Sequence, residues 1–346
     1  MIGCPCCQLH LHSRKSFKDG LYPIEEMVER AAEIHAITDA MPGIGLTDHG
    51  VLFAAPELFS ACTKYGIKGM IGMEAYEAVP HAFDIERDGE VFKIKWADLN
   101  GQDRYYHLTL WALNKVGWIN LVALHTQSFS PEYHPSQRGK PLVDRESLAR
   151  HSEGLLVGMG CMASRVNVNL ARDSYDVDKA YEHAKWYKEV FGDRFIVEVM
   201  ANLPEQQALL RPQRLLARKL GAKTVAMNDV HYRDRIDGIE NGAHHTMVKS
   251  RAFKKADTEV SADKADDGFG QWYGSDGFYL KTGDEMLATG GLERVEIERT
   301  LELLDRCDFV FRELPEPKPP VPVIPGPGED PDFDSWLKLN AEYSGN

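Results

Sequence analysis

Short apolar runs alternate with longer stretches in which apolar residues recur every three or four positions, from residue 8 to about 250. Such alternation of strands with amphipathic helices predicts a parallel α/β architecture. Strands are predicted at Gln8 to Leu11, Gly43 to Leu46, Lys68 to Tyr76, Tyr106 to Trp111, Leu155 to Met159, Phe195 to Met200 and Lys223 to Met227. Each is short and rich in apolar or β-branched residues. The first helix is predicted to begin at Pro23, a residue suited to a first helical turn, and to bury Ile24, Met27, Val28, Ala31 and Ile34 against the sheet. Further apolar stripes predict helices over Val177 to Val190 and Glu205 to Leu220, with Gly221 as the stop of the second.

The pattern fails in two places. Phe253 to Asp276 is polar and without period, and reads as a long excursion from the α/β pattern. From Leu314 to Pro331 the chain carries eight prolines and two glycines, an extended, semi-rigid spacer. The expected organisation is one large domain over residues 1–312, a Pro/Gly-rich linker over 313–335 and a short C-terminal tail over 336–346. A spacer normally joins two bodies, so either a larger parent protein or a relic of one is expected. The 346 residues suffice for a substantial core. With no apolar run of membrane-spanning length and no signal-like N-terminus, the expectation is a cytoplasmic protein with no membrane association.

Charge and cysteine content narrow the chemistry. A net charge of −13 argues against gripping long duplex DNA through a broad basic face, because that affinity comes from many phosphate contacts. It is compatible with a nucleic-acid enzyme whose bound cations supply the phosphate-binding charge. The six cysteines are too sparse and uneven for a secreted disulfide framework. The Cys4-Pro5-Cys6-Cys7 start suggests metal binding, but no second pair at zinc-finger spacing follows it.

The strongest chemical signal is His10-Leu11-His12 at the end of the first strand, since side chains two apart on a strand share a face. Asp229-Val230-His231 repeats that spacing after the last strand, and a Thr47-Asp48-His49-Gly50 turn follows the second. Any one histidine is more often an ordinary surface or core residue. Folding asks for no such cluster at strand ends, however, and ligand pockets form at the carboxyl ends of parallel strands. Glu74, His107 and Cys161 also fall at strand ends. Alone, each reads as a surface carboxylate, a core histidine and a small buried hydrophobe. Imidazole, carboxylate and thiolate together suit zinc or manganese, with iron also admitted, and not magnesium or calcium. Such ions lower the pKa of a bound water and stabilise a leaving alkoxide, the logic of metal-assisted phosphoryl hydrolysis. Asp48 is expected to orient a ligand imidazole from behind; Arg14, Lys15 and Lys18 could meet incoming phosphates, although a solvated loop carries such charges routinely.

Taken together, H-L-H-S, L-T-D-H-G, Asp19-Gly20, G-I-K-G-M-I-G-M-E at Gly66 to Glu74, Y-H-L-T-L, and G-W-I-N-L at Gly117 to Leu121 resemble the PHP (polymerase and histidinol phosphatase) domain of bacterial DNA polymerase III alpha subunits. S-E-G-L at Ser152, G-D-R-F at Gly192, N-D-V-H-Y at Asn228 and G-F-Y-L-K at Gly277 extend the likeness to about residue 315 and favour the polymerase branch over the histidinol phosphatase branch. The resemblance implies a distorted seven-stranded, TIM-like β/α barrel with nine ligands around three metals, and all nine positions here carry a suitable residue. By resemblance His10, His12, Glu74 and Asp229 hold one metal, Glu74, His107 and Cys161 a second, and Asp19, His49 and His231 the third. The same nine would be the catalytic set. The implied activity is a 3′ to 5′ proofreading exonuclease in DNA replication. Its expected partners are a DNA 3′ end or single strand and replicative polymerase subunits. Two other readings stand: a small-molecule phosphatase of the histidinol phosphatase type, and a non-catalytic scaffold for a polymerase. Asp332 and Asp334 mimic the paired aspartates of a polymerase palm, but too few residues follow to build one.

Overall fold

The computed structural model describes residues 3–17, 19–78, 83–87, 90–94, 105–130, 140–171, 175–238 and 275–309. Within them the helices are α1 (Ile24–Thr38), α2 (Ala55–Tyr65), α3 (Lys115–Ser128), α4 (Arg145–Arg150), α5 (Asn167–Leu170), α6 (Val177–Phe191), α7 (Pro204–Leu220), α8 (Gly283–Ala288) and α9 (Arg294–Arg306). The strands are β1 (Gly43–Leu46), β2 (Lys68–Ala78), β3 (Phe83–Arg87), β4 (Glu90–Ile94), β5 (Tyr105–Ala112), β6 (Leu142–Val143), β7 (Leu155–Gly158), β8 (Phe195–Val199) and β9 (Lys223–Ala226). The excursion expected over Phe253 to Asp276 falls outside the described residues except at its last two positions, as do the linker and the tail.

Seven strands form one sheet in the order β1-β2-β5-β7-β8-β9, with β6 pairing β2 off that path, and β3 and β4 form a separate antiparallel pair. The architecture is mixed α/β, and as regular strands the sheet amounts to a curled half-barrel. Most pairs are parallel, but β5 runs antiparallel to both β2 and β7, which corrects the wholly parallel expectation. The reversal follows from the connection, because a chain that turns back through a hairpin such as β3-β4 needs no helical crossover, whereas a parallel return does. It brings the amino end of β5 to the carboxyl end of β2, with His107 opposite Tyr76.

Periodicity placed the helices well. All five apolar positions predicted for α1 are buried. α7 ends at Gly221, whose left-handed backbone (φ 60°) suits glycine. Gln8 to Leu11 is not a regular strand but makes isolated bridges, Gln8 to Ile44 and Leu11 to Val230. On one side Gly45 N donates to Gln8 O and Thr47 N to Leu11 O, both at 2.8 Å; on the other, His12 N donates to Val230 O and Val230 N to His10 O at 2.8 and 2.9 Å. These bonds fix the alternation of the segment. Leu9 and Leu11 lie in the core, and His10 and His12 project to the opposite face.

Cys4, Cys6 and Cys7 are buried near α8 and α9: Cys4 N donates to Asp284 and Cys7 N to Thr300 Oγ1. Burial pushes the Cys7 thiol up to about 12, so it packs as a small hydrophobe. Among the described residues these thiols join no cluster of ligand atoms, contrary to the metal-binding reading of the C-P-C-C start.

Candidate metal centre

Six chain segments deliver nine polar side chains to the carboxyl end of the sheet. His10, His12 and Asp19 come from the first segment and its loop, His49 from the turn after β1, and Glu74 from β2. His107 comes from the reversed β5, Cys161 from the loop after β7, and Asp229 and His231 from the loop after β9. Asp229 has a left-handed backbone (φ 54°), one of two such non-glycine residues among those described. Asp tolerates that conformation better than most residues, and strain of this kind gathers at functional sites.

Glu74 stands at the centre, almost wholly buried. Its Oε1 lies 2.9 Å from His107 Nδ1 and 3.6 Å from His10 Nε2; its Oε2 lies 2.7 Å from His49 Nδ1 and 3.5 Å from His12 Nε2. Asp229 Oδ1 is 3.1 Å from His12 Nε2 and 3.3 Å from His10 Nε2. Asp19 Oδ2 is 3.2 Å from His49 Nε2 and 4.0 Å from His231 Nε2. The Cys161 thiol lies 3.5 Å from His107 Nδ1.

Three groups have ligand atoms all within 4.8 Å of one another: His10, His12 and Asp229; His49, Glu74 and His107; and His12, His49 and His231. Geometry thus gathers all nine expected residues, while His12 and His49 are each shared between two groups instead of belonging to one. Asp19 reaches the third group through His49, and Cys161 the second through His107.

Two atoms in the cluster test whether a cation fits. His10 Nε2 and His49 Nδ1 are buried with no hydrogen-bond partner, although carboxylate oxygens stand 3.3 and 2.7 Å away. Nitrogen and carboxylate oxygen thus face each other out of line for a hydrogen bond. Buried polar atoms are rarely left so, and a cation shared between the two atoms would satisfy both.

Electrostatics point the same way. Burial alone would push the Glu74 carboxyl up, but the His107 and His49 rings hold it well below the usual carboxylate range. Against the same cost of burial, the His49 and His231 rings hold Asp19 down, and the His10 and His231 rings hold Asp229 down. His10, though buried, is raised to about 9 by Asp229, Glu198 and Glu74. Burial and the charges of His49 and His231 depress His12 to about 4, leaving a neutral ring with a lone pair to offer. Burial, then the negative charges of Glu74 and Asp229, raises the Cys161 thiol well above its ordinary value. A bound cation would reverse that bias.

A second layer holds the rings. His231 Nδ1 donates to the Asp229 backbone carbonyl at 2.8 Å, which leaves Nε2 facing Asp19. His12 Nδ1 meets Ser16 Oγ at 3.1 Å, and Ser16 Oγ donates to Asp48 Oδ1 at 2.7 Å. Asp48 also accepts from Ser13 N and Ser13 Oγ, both at 2.7 Å. Asp48 thus reaches the His12 ring through Ser16, and not its neighbour His49 directly. Burial raises it to about 6 against those three hydrogen bonds. Of the residues expected to meet phosphate, Arg14 is exposed, Lys15 pairs with Glu57 at 3.2 Å, and Lys18 lies outside the described residues.

Sequence reasoning missed Glu198, buried on β8, whose Oε2 lies 2.9 Å from His10 Nδ1. The available signal was a carboxylate inside the apolar strand F-I-V-E-V, a residue type almost never buried without a partner.

Residues 8–202 match the family described as the PHP domain. DNA polymerase III subunit alpha of Thermus aquaticus is 31% identical over 307 residues, covering 87% of this chain and 22% of the relative. The same subunit of Mycobacterium tuberculosis strain H37Rv is 31% identical, covering 97% and 27%. The chain thus spans about a quarter of the length of these curated relatives. Among solved structures, a Chromobacterium violaceum amidohydrolase with bound sulfate and no metal is 14% identical, with a TM-score of 0.36 over 65% of this chain and 87% of that one. A Bifidobacterium adolescentis protein described as a metal-dependent phosphoesterase is 11% identical, with a TM-score of 0.34 over 67% and 89%. Both structures are too distant to bear on chemistry. The match to the PHP domain covers more than half of the sequence and contains seven of the nine clustered residues, and on that ground the chain belongs to the PHP domain family.

Proposed function

We propose that this chain is a metal-dependent phosphoesterase acting as a 3′ to 5′ exonuclease, the proofreading hydrolase of a replicative DNA polymerase in the bacterial cytoplasm. The observation that carries the reading is the convergence of nine imidazole, carboxylate and thiol groups from six separate segments, with two buried ring nitrogens left without hydrogen bonds. His10, His12 and Asp229, with Glu74 close by, would hold one metal; Glu74 and His107, with Cys161, a second; Asp19, His49 and His231 a third. Zinc or manganese best suits that donor set. Bound there, such ions would supply a nucleophilic water at neutral pH and neutralise phosphate charge.

The chain's own residues do the positioning. Ser16 and the Asp229 carbonyl fix the His12 and His231 rings, and Glu74 bridges the groups. Arg14 and Phe17 stand exposed on the loop joining His12 to Asp19, a cation and an aromatic face of the kind that single-stranded ends engage. Segment 8–12, bonded on both edges, would be the stave that closes the seven-stranded barrel. The domain would end near residue 312, the Pro/Gly-rich stretch linking it to the remainder of a polymerase.

The test is metal analysis of the purified chain with degradation of a 3′-mismatched oligonucleotide in manganese. Bound transition metal and shortening from the 3′ end are expected, with activity reduced on the order of 100-fold or more in His12→Ala and Asp229→Ala. Equal rates in wild type and variants would sink the reading. Hydrolysis of a small phosphomonoester with the oligonucleotide left intact would select the small-molecule phosphatase instead.

A further inference from the structure

A buried carboxylate socket lies behind His10. Glu198 Oε2 meets His10 Nδ1 at 2.9 Å, while Glu198 Oε1 accepts from Gly160 N at 2.8 Å and from the Thr109 hydroxyl. Glu198 and Thr109 are buried to within about 1%. The socket is shaped by the run Gly158-Met159-Gly160 at the end of β7. A Cβ on Gly158 would stand 2.1 Å from Glu198 Oε1 and 2.5 Å from Thr109 Oγ1, so the carboxylate fits only because that position has no side chain. Gly160 has a φ of 85°, a conformation that favours glycine, and there its N–H meets the carboxylate. Register agrees: Thr109 pairs with Gly158, and Gly158 with Ile196, two residues before Glu198 on the same face of β8.

We propose that Glu198 is a positioning residue: in the neutral ring that a bound cation requires, it keeps the one remaining proton of His10 on Nδ1 and so aims the Nε2 lone pair into the metal centre. The inference rests on the metal-centre reading above. His10 Nε2 is a buried atom with no hydrogen-bond partner, set between Glu74 and Asp229, and its availability depends on which ring nitrogen carries the proton. A carboxylate accepts at both oxygens and therefore compels Nδ1 to be the donor.

A glutamine of the same shape cannot do this. The Gly160 N–H is a fixed backbone donor, so the amide oxygen must face it. The amide NH₂ must then face His10 Nδ1, which becomes an acceptor, and the remaining proton moves to Nε2 and blocks the metal. Isosteric substitution thus separates orientation from packing.

The experiment is zinc titration of metal-free protein against a competing chromophoric chelator, with circular dichroism of the same samples. Wild type is expected to bind two or three equivalents. Glu198→Gln is expected to keep its fold but bind one equivalent on the order of 10- to 100-fold more weakly, the usual effect of losing a ligand's supporting group. Glu198→Gln binding with wild-type stoichiometry and affinity overturns the proposal, because a merely structural carboxylate would tolerate the isostere. Wild type taking up no zinc removes the metal-centre reading and this inference with it. If Glu198→Gln does not fold, Thr109→Val carries the test: it removes one of the two donors on Oε1, and several-fold weaker zinc binding supports the proposal while unchanged binding overturns it.

Discussion

Ser16 illustrates what one hydroxyl can hold. Its Oγ touches the His12 ring, donates to Asp48 and accepts from His49 N at 3.1 Å, tying together two of the clustered histidines. In Ser16→Ala the part-buried His49 N–H loses its acceptor and the buried Asp48 one of three donors. A loss of about 1–3 kcal/mol in unfolding free energy is expected, the usual cost of unsatisfied buried groups. Urea denaturation measures it, and a change below about 0.5 kcal/mol, the scatter of neutral surface substitutions, would refute the role. Side chains of this kind mark how far the sequence was legible. His10 with His12, and Asp229 with His231, announced themselves because spacing by two is meaningful on an extended chain. Ser16 and Glu198 did not, because their importance comes from partners 33 and 188 residues away, and no local period encodes that.

Strands and helices were read with uneven success for the same reason. α1, α6 and α7 carry an apolar stripe long enough to declare itself, and the start of α1 and both bounds of α6 and α7 agree with expectation within a residue. The reversed direction of β5 is invisible to local pattern, since an apolar strand reads alike in either sense. Nor did the sequence disclose how helices lock onto the outer face of β2. There Glu77, wholly buried, accepts from Arg165 at 2.8 Å, from Arg145 at 3.3 Å and from the Tyr187 hydroxyl of α6. Arg145 of α4 also meets His183 Nδ1 of α6 at 3.1 Å. Burial, then the charges of Arg165 and Arg145, depresses His183 to about 4 from 6.5. Below pH 6.5 the unfolded chain gains a proton that the folded ring refuses, so this contribution to stability is present above pH 6.5 and is lost as pH falls toward 4. The ring is half-buried, so solvent screening reduces the effect to about 1 kcal/mol. His183→Gln removes the titration and can still accept from Arg145. Its melting temperature is expected to fall by ~2 °C less than that of wild type between pH 7.5 and 4.5. Parallel melting curves across that range would remove His183 from the acid response.

The nine clustered groups also bear on the stability of the domain, because they come from segments spread over more than two thirds of the described chain's length, from His10 to His231. Burying this many titratable groups in one place is costly, and their mutual attractions repay the cost incompletely, as the two ring nitrogens without hydrogen bonds attest. Cations held there would cancel the remaining repulsion among Glu74, Asp19 and Asp229 and join the first segment to the loops after β1, β7 and β9. A ligand that binds the folded state alone stabilises it by about 4 kcal/mol per site at a thousand times its dissociation constant. For a domain of this size that corresponds to a melting temperature higher by roughly 10 °C. Chelation followed by calorimetry is therefore expected to lower the melting temperature by about that much. Re-addition of zinc or manganese should restore it in a concentration-dependent way, while magnesium, which prefers all-oxygen sites, should not. If the melting temperature is indifferent to chelator and to all three ions, then no cation joins these segments, and the cluster must be held by proton sharing among its own histidines and carboxylates. In that case contacts such as Glu74–His107, Asp19–His49 and Asp229–His12 would carry the load, and acid would melt the domain as those carboxylates take up protons.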